Sequence, residues 1–290
     1  MPSTITLKRR IGSVKNTRQI TKAMELVAAS KMRHAQEHAK RSRSYREAAY
    51  SLLTKLSNVT DVNEHPLFTT RPVKCQLYVV VTSNQGLAGA YDANILKLLT
   101  GRIRSDKQNK VRSKVIAIGK KGANFIRSLE GVELLAVYNE FSDRPTANEL
   151  RPLLNTITDQ YIRGAVDDVD MLYTEFRSNL VQIARDLQTL PANFEETEED
   201  LQLLENITFE PSPQAVLDNA AIRLIEVQIW QAILESFASE HSMRMLAMKN
   251  ATDNASEIID TLTLEFNTAR QSAITQELAE ITGGAEAISL

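Results

Sequence analysis

Apolar residues recur every three or four positions along both ends of this chain. Near the C-terminus Ala247, Ala251, Ala255, Ile258, Leu262, Phe266, Ala269 and Ala273 form one stripe, the spacing of a helix face. Near the N-terminus Ile11 and Val14 begin a stripe that continues through Ile20, Met24, Val27, Ala28, Ala35 and Ala39. Both faces are rich in alanine, so a second helix can approach closely. Residues 13–65 and 214–282 contain neither Gly nor Pro, the residues that cost a helix interior about 1 and about 3 kcal/mol respectively. Pro66 closes the first stretch, Pro211 and Pro213 open the second, and Gly283 with Gly284 is the expected end. At about 1.5 Å per residue such helices would be on the order of 80 and 100 Å long, too long for one globule. The C-terminal stripe averages about 3.6–3.7 residues per turn, which predicts weak supercoiling.

Between the two helices the grammar changes. Residues 75–82 (CQLYVVVT), 114–119 (KVIAIG), 132–138 (VELLAVY) and 168–176 (DVDMLYTEF) are short apolar runs. Helix-like stretches follow the first three, beginning near Ala88, Lys120 and Thr146. This alternation reads as βαβ units on a mostly parallel sheet, and a run such as LYVVV fits a strand covered on both faces. Residues 179–191 read as a further strand, with an antiparallel placement open. The acidic stretch 195–200 reads as a surface loop or linker. The expected fold is α/β: a long antiparallel coiled coil of N- and C-terminal helices with an inserted Rossmann-like domain. The boundaries expected are 1–65, 66–210 and 211–290.

Charge supports pairing of the ends. The chain has 290 residues and a formal net charge of −2. Residues 8–46 hold twelve Lys or Arg against two Glu, whereas 214–290 hold eleven Asp or Glu against four Lys or Arg. Exposed ion pairs contribute only ~0.2–1 kcal/mol each, so apolar burial must do most of the holding. The single cysteine, Cys75, cannot form an internal disulfide and fits a reducing compartment. The start lacks the apolar core of a signal peptide, and no run of apolar residues reaches membrane-spanning length. Neither a signal peptide nor direct membrane insertion is expected.

Candidate chemistry is sparse. His34-Ala-Gln-Glu37-His38 matches the H-x-x-E-H zinc-peptidase string. Lys31, Arg33, Lys40 and Arg41 surround it, and such a cation-rich surface opposes a divalent metal, so the favoured reading is a polar helix face. Residues 83–89 (SNQGLAG) and 119–122 (GKKG) carry glycines where α/β folds often cradle phosphate. Neither matches a known phosphate loop, and tight strand-to-helix turns are favoured. Cys75 at a strand start reads as packing. The basic N-terminal helix could neutralise nucleic-acid phosphates, but it has no aromatics before Tyr45. Nothing points to an enzyme, and no cofactor is expected.

Residues 7–32 (LKRRIGSVKNTRQITKAMELVAASKM) and 247–288 (AMKNATDNASEIIDTLTLEFNTARQSAITQELAEITGGAEAI) resemble the two terminal signatures of the γ subunit of F-type ATP synthase. The resemblance spans essentially the whole chain. It implies a non-catalytic rotor whose paired helices form a shaft inside the ring of α and β subunits. Its α/β domain would lie near ε and the membrane c ring, and proton flow would drive the β subunits through their conformational cycle. The location implied is peripheral, on the cytoplasmic face of a bacterial inner membrane, with no nucleic acid bound. By match to the motifs, Arg270 and Gln271 would touch a β loop around the shaft, and Lys22, Met24 and Lys31 would face the acidic lever of β. Met24 reads equally as a coiled-coil core position. Asn254, Thr263 and Glu265 also match, as ring contacts or as packing. Where the family commonly has SDRGLCG this chain has Asn84, Gln85 and Ala88 in place of an acid, a base and a cysteine, so no local ion pair is expected there. With Cys75 as the only cysteine, no thiol switch is expected either.

Overall fold

Residues 13–57 and 214–282 of the two glycine-free stretches are helical. The computed structural model describes the backbone of residues 3–57, 65–139, 141–142, 146–192, 210 and 212–288, and the side chains of all of these except 40–57, 147 and 283–288. Helix α1 spans Thr4–Ser57 and α5 spans Pro213–Ile288. Between them come β1 (Cys75–Val81), α2 (Tyr91–Gln108), β2 (Arg112–Ile118), α3 (Lys120–Ile126), β3 (Glu133–Tyr138), α4 (Ala147–Ile162), β4 (Asp168–Phe176) and β5 (Gln182–Leu190). The acidic stretch 195–200 lies outside the described residues. Helix α5 continues through Gly283 and Gly284 rather than ending there. Two glycines cost a helix about 2 kcal/mol together, a penalty insufficient by itself to stop it.

The chain separates into two compact units, residues 1–27 with 245–290, and residues 28–244. Both boundaries fall inside the long helices.

The first unit is a helix pair. On α5 Met248, Ala255 and Ile259 are buried, and Thr252, Leu262, Phe266 and Ala269 are half-buried. These positions step alternately by four and three, the 3.5-residue period of a left-handed coiled coil, and not the longer period the sequence stripe suggested. The difference moves particular side chains: Ile258 is 49% exposed and Ile20 61% exposed, Val27 and Ala273 are also exposed, and Ile259 takes the seam. On α1 Leu7 is buried and Thr4, Ile11, Val14, Thr21 and Met24 are half-buried. Thr21 and Thr252 share a hydroxyl hydrogen bond of 2.8 Å. Thr21 lies near the C-terminal end of its segment and Thr252 near the N-terminal end of the other. Two such segments can lie side by side along their length only if they run antiparallel.

The second unit is a five-stranded sheet in the order β3-β2-β1-β4-β5. The β1/β2, β1/β4 and β2/β3 pairs are parallel and β4/β5 is antiparallel. Central β1 is buried along its whole length, which is why it reads as an unbroken apolar run. One sheet face packs Tyr78, Val80, Val115 and Leu172 with Ile95 and Leu99 of α2 and Ile126 of α3. The other packs Leu77, Val79, Ile116 and Met171 with Leu153 and Ile157 of α4 and with Leu217, Leu224 and Ile229 of α5. Arg71 ties the chain before β1 to the turn after α4. Its guanidinium donates to the carbonyls of Tyr161 (2.5 Å) and Val166 (2.8 Å) and lies 4.3 Å from the Tyr161 ring centre.

Polar side chains crowd the end of the first face. Asp106 accepts from Tyr78 (2.8 Å) and Ser113 (2.9 Å), and Asp168 accepts from Gln76 (2.6 Å) and Gln188 (2.7 Å). Asp170 stands opposite Tyr78 in the sheet register. Burial, and then the neighbouring Asp168 carboxylate, push its pKa from 3.8 up to about 6. The folded chain therefore holds the Asp170 proton more tightly than the unfolded chain does. Stability from this group is greatest at acid pH, declines as pH rises from about 4 to about 6, and stays at its lowest above that range. Asp170→Asn should stabilise the chain at pH 8 by up to about 3 kcal/mol, and the gain should vanish near pH 4. Denaturant melts of both proteins across pH provide the check; a gain independent of pH would contradict it.

Candidate functional site

The turn after β1 is built on a close approach between segments. Thr82 Oγ1 donates to the Ile118 carbonyl (2.8 Å) and accepts from the Gly122 N–H (2.9 Å). A Cβ on Gly119 would sit 2.2 Å from the Thr82 carbonyl oxygen, and one on Gly122 would sit 2.6 Å from Thr82 Oγ1. Gly119 also has φ +97°, which L side chains rarely adopt. The glycines of 119–122 thus serve packing. The amides a phosphate would need are occupied: Lys120 N–H donates to Asn84 Oδ1 (3.1 Å) and Lys121 N–H to the Ser83 carbonyl (3.1 Å). At the start of α2, Asp92 accepts from both the N–H (2.8 Å) and the hydroxyl (2.6 Å) of Ser83. A carboxylate already fills the place of an anion. The turn delays α2 to Tyr91, with Leu87 and Gly89 at positive φ.

Against this turn lies the 236–244 stretch of α5. Ser236 and Tyr91 share a hydrogen bond of 2.7 Å, and Ser236 Oγ also accepts from the Thr174 N–H (3.2 Å). Ser239 donates to the Thr174 carbonyl (3.0 Å). Ser242 donates to the Asn179 carbonyl (3.1 Å) and accepts from Gln182 Nε2 (3.1 Å). One turn on, Arg244 donates to buried Glu240 (2.6 Å) and to the Gln85 carbonyl (3.0 Å). Burial pushes the Glu240 carboxyl up, while Arg244 opposes the shift. A cavity of about 140 Å³ opens beside them, lined by Lys31, Thr82, Asn84, Glu240, His241 and Arg244 among others.

The residues expected to touch partners fall in both units. Lys31 is half-buried at this cavity, close enough to Glu240 to favour its ionised form. Lys22 is exposed on the helix pair and bridges Glu25 at 3.0 Å. Met24 is half-buried, while Arg270 and Gln271 are exposed where the paired stretch of α5 ends. From 271 to 282 every α5 side chain is exposed, including Ile274, Leu278 and Ile281. His34 and His38 are half-buried and Glu37 is exposed. Among the described residues no group of three His, Cys, Asp or Glu side chains could hold a metal ion. Cys75 is buried, and burial raises its thiol pKa.

The α5 serines and Tyr91 escaped the sequence reading. A signal was present, since Ser236, Ser239 and Ser242 fall on one helix three residues apart amid apolar neighbours. Serine in a helix is ambiguous without its partner, because it can equally bond its own backbone.

A family model described as ATP synthase matches residues 3–288. The ATP synthase gamma chain of Moorella thermoacetica is 39% identical over 282 residues, covering 97% of this chain and 98% of its own length. That of Heliobacterium modesticaldum is 41% identical over 297 residues, covering 99% and 100%. A chain in the rotor of the Euglena gracilis mitochondrial ATP synthase shares the fold with TM-score 0.60 at 16% identity, covering 93% of this chain and 98% of that one. A chain of the Tetrahymena thermophila mitochondrial central stalk and c ring does so with TM-score 0.61 at 23% identity, covering 80% and 99%.

Gly119→Ala should destabilise the chain by on the order of 2–4 kcal/mol through backbone strain and overpacking. Thermal melts should show a lower Tm; an unchanged Tm would mean that Thr82 can withdraw freely.

Proposed function

Since this chain belongs to the family of ATP synthase gamma chains and is a non-catalytic part of the central stalk, we propose that its helix pair is the shaft turned inside the ring of α and β subunits. The observation that carries the proposal is the exposed end of α5. Residues 271–282 project Ile274, Leu278 and Ile281 on one helical face with no cover from the described residues. An amphipathic helix of this length is marginal alone in water and gains its stability by packing. A ring of subunits closed around it supplies that packing.

Rotation couples two equilibria. Ion flow through the c ring turns the α/β unit and the shaft with it, and each β subunit then meets a different face of an asymmetric rod. A face that contacts one β conformation better than another shifts that subunit's population by the difference in contact free energy. ATP chemistry remains on the ring. In this reading the exposed Arg270 and Gln271 hydrogen-bond a β loop. Exposed Lys22 can exchange its weak bridge to Glu25 for an acidic partner, since a surface pair is worth only ~0.2–1 kcal/mol. Met24 and Lys31 complete the set facing β. The α/β unit would contact ε and the c ring. No described helix is long and apolar enough to cross a membrane, consistent with a peripheral place on a membrane-bound complex, here the cytoplasmic face of a bacterial inner membrane. The nucleic-acid reading has no support in this family.

Mixing this chain with α and β subunits should give a stable complex whose ATP hydrolysis requires it, and failure to co-assemble would reject the proposal. Within that complex Arg270→Ala should weaken binding by roughly 1–3 kcal/mol, the worth of a charge-assisted hydrogen bond. Titration of the variant into the ring measures it, and unaltered affinity would remove Arg270 from the contact.

A further inference from the structure

Helix α5 belongs to the α/β unit up to Arg244 and continues unbroken to Ile288. Its seat in that unit as far as Ile233 is largely apolar: Leu217, Ala221, Leu224, Ile225, Ile229 and Ile233 are buried. Apolar burial is non-directional. Close packing holds the helix against the sheet and limits its twist about its own axis, without the sharp angular preference of a hydrogen bond.

Beyond that seat the contacts change character. Strand β1 pairs with β4 only as far as Val80 opposite Leu172, while β4 runs on to Phe176. Past the end of β1, the Thr174 N–H and carbonyl face α5 in place of a neighbouring strand, and Ser236 and Ser239 take them up. Ser242 does the same for the carbonyl of Asn179 in the turn between β4 and β5. All three serines are fully buried. Together they span about 9 Å along the helix axis and about a third of its circumference, at azimuths roughly 60° apart. Hydrogen bonds are directional and weaken steeply off axis. Three of them at different azimuths therefore fix both the height and the rotation of α5 on the sheet.

We propose that Ser236, Ser239 and Ser242 form a torsional lock, positioning residues through which the α/β unit and α5 turn as one body. The proposal rests on the rotor reading and adds to it the contact at which torque enters the shaft.

The test uses the fully assembled complex, with the ring fixed to a surface and a probe on the α/β unit. The double variant Ser236→Ala/Ser239→Ala is compared with Leu224→Ala, which loosens the same helix through an apolar cavity. Both should lower Tm. During catalytic pauses only the serine variant should broaden the probe's angular spread, and Ser239→Thr, which keeps the hydroxyl, should leave the spread as in the unmodified chain. If the double variant fails to assemble, Ser242→Ala, at the more peripheral hairpin turn, should show a smaller broadening. An angular spread no wider than that of Leu224→Ala would overturn the lock while leaving the rotor intact. Failure of the unmodified chain to drive any rotation would overturn the rotor reading, and the lock with it.

Discussion

One helix serves two incompatible environments, and the rest of the molecule depends on how it manages both. Within residues 28–244, α5 is core: Leu217, Leu224, Ile225 and Ile229 are fully buried against the sheet. From 245 onward it presents only a narrow seam to α1, and from 271 to 282 its side chains are exposed. A helix apolar all round belongs in an interior, and one apolar along a single stripe belongs in a pair. Helix α5 changes from the first pattern to the second without a break in its backbone, which is what allows a domain and a rod to be continuous.

The transition is managed by polar groups. Between the apolar seat and the seam lie Ser236, Ser239, Glu240, Ser242 and Arg244, every one of them buried. Each of these side chains makes at least one hydrogen bond, which offsets much of the penalty that buried polar atoms carry, although among the described residues the buried Arg244 Nε finds no partner. The arrangement exchanges some hydrophobic stabilisation for directional contact. A stationary protein gains little from that exchange, while a protein that must transmit rotation gains a defined angle between its parts.

The helix pair solves a different problem. Its seam keeps the 3.5-residue period through small and medium side chains, with Ala255 at the buried centre and the Thr21–Thr252 hydrogen bond across it. Apolar residues just off the seam, among them Ile5, Ile20, Leu26 and Ile258, remain exposed. A stripe of this kind on an isolated rod is costly, and on a rod gripped by other proteins it is contact surface.

Much of this was legible in the residues alone. Glycine- and proline-free stretches located α1 and α5, though not their ends, because those two residues act locally on any helix, wherever it packs. Four β-like runs became four strands, β1 most plainly because burial along its whole length leaves an unbroken apolar run, and the more exposed 182–190 became the antiparallel fifth. The terminal signatures pointed to the family because they are long runs of matching residues at both ends of the chain. Tertiary structure alone decided which of two adjacent apolar residues enters the seam, Ile258 or Ile259, because a drift of about 0.1–0.2 residue per turn is invisible in a short stripe and is fixed only by the partner helix. It also decided the fate of the serines and of Gly119. A hydroxyl or a missing Cβ carries no direction in sequence, and its meaning comes from the atom that folding places opposite it.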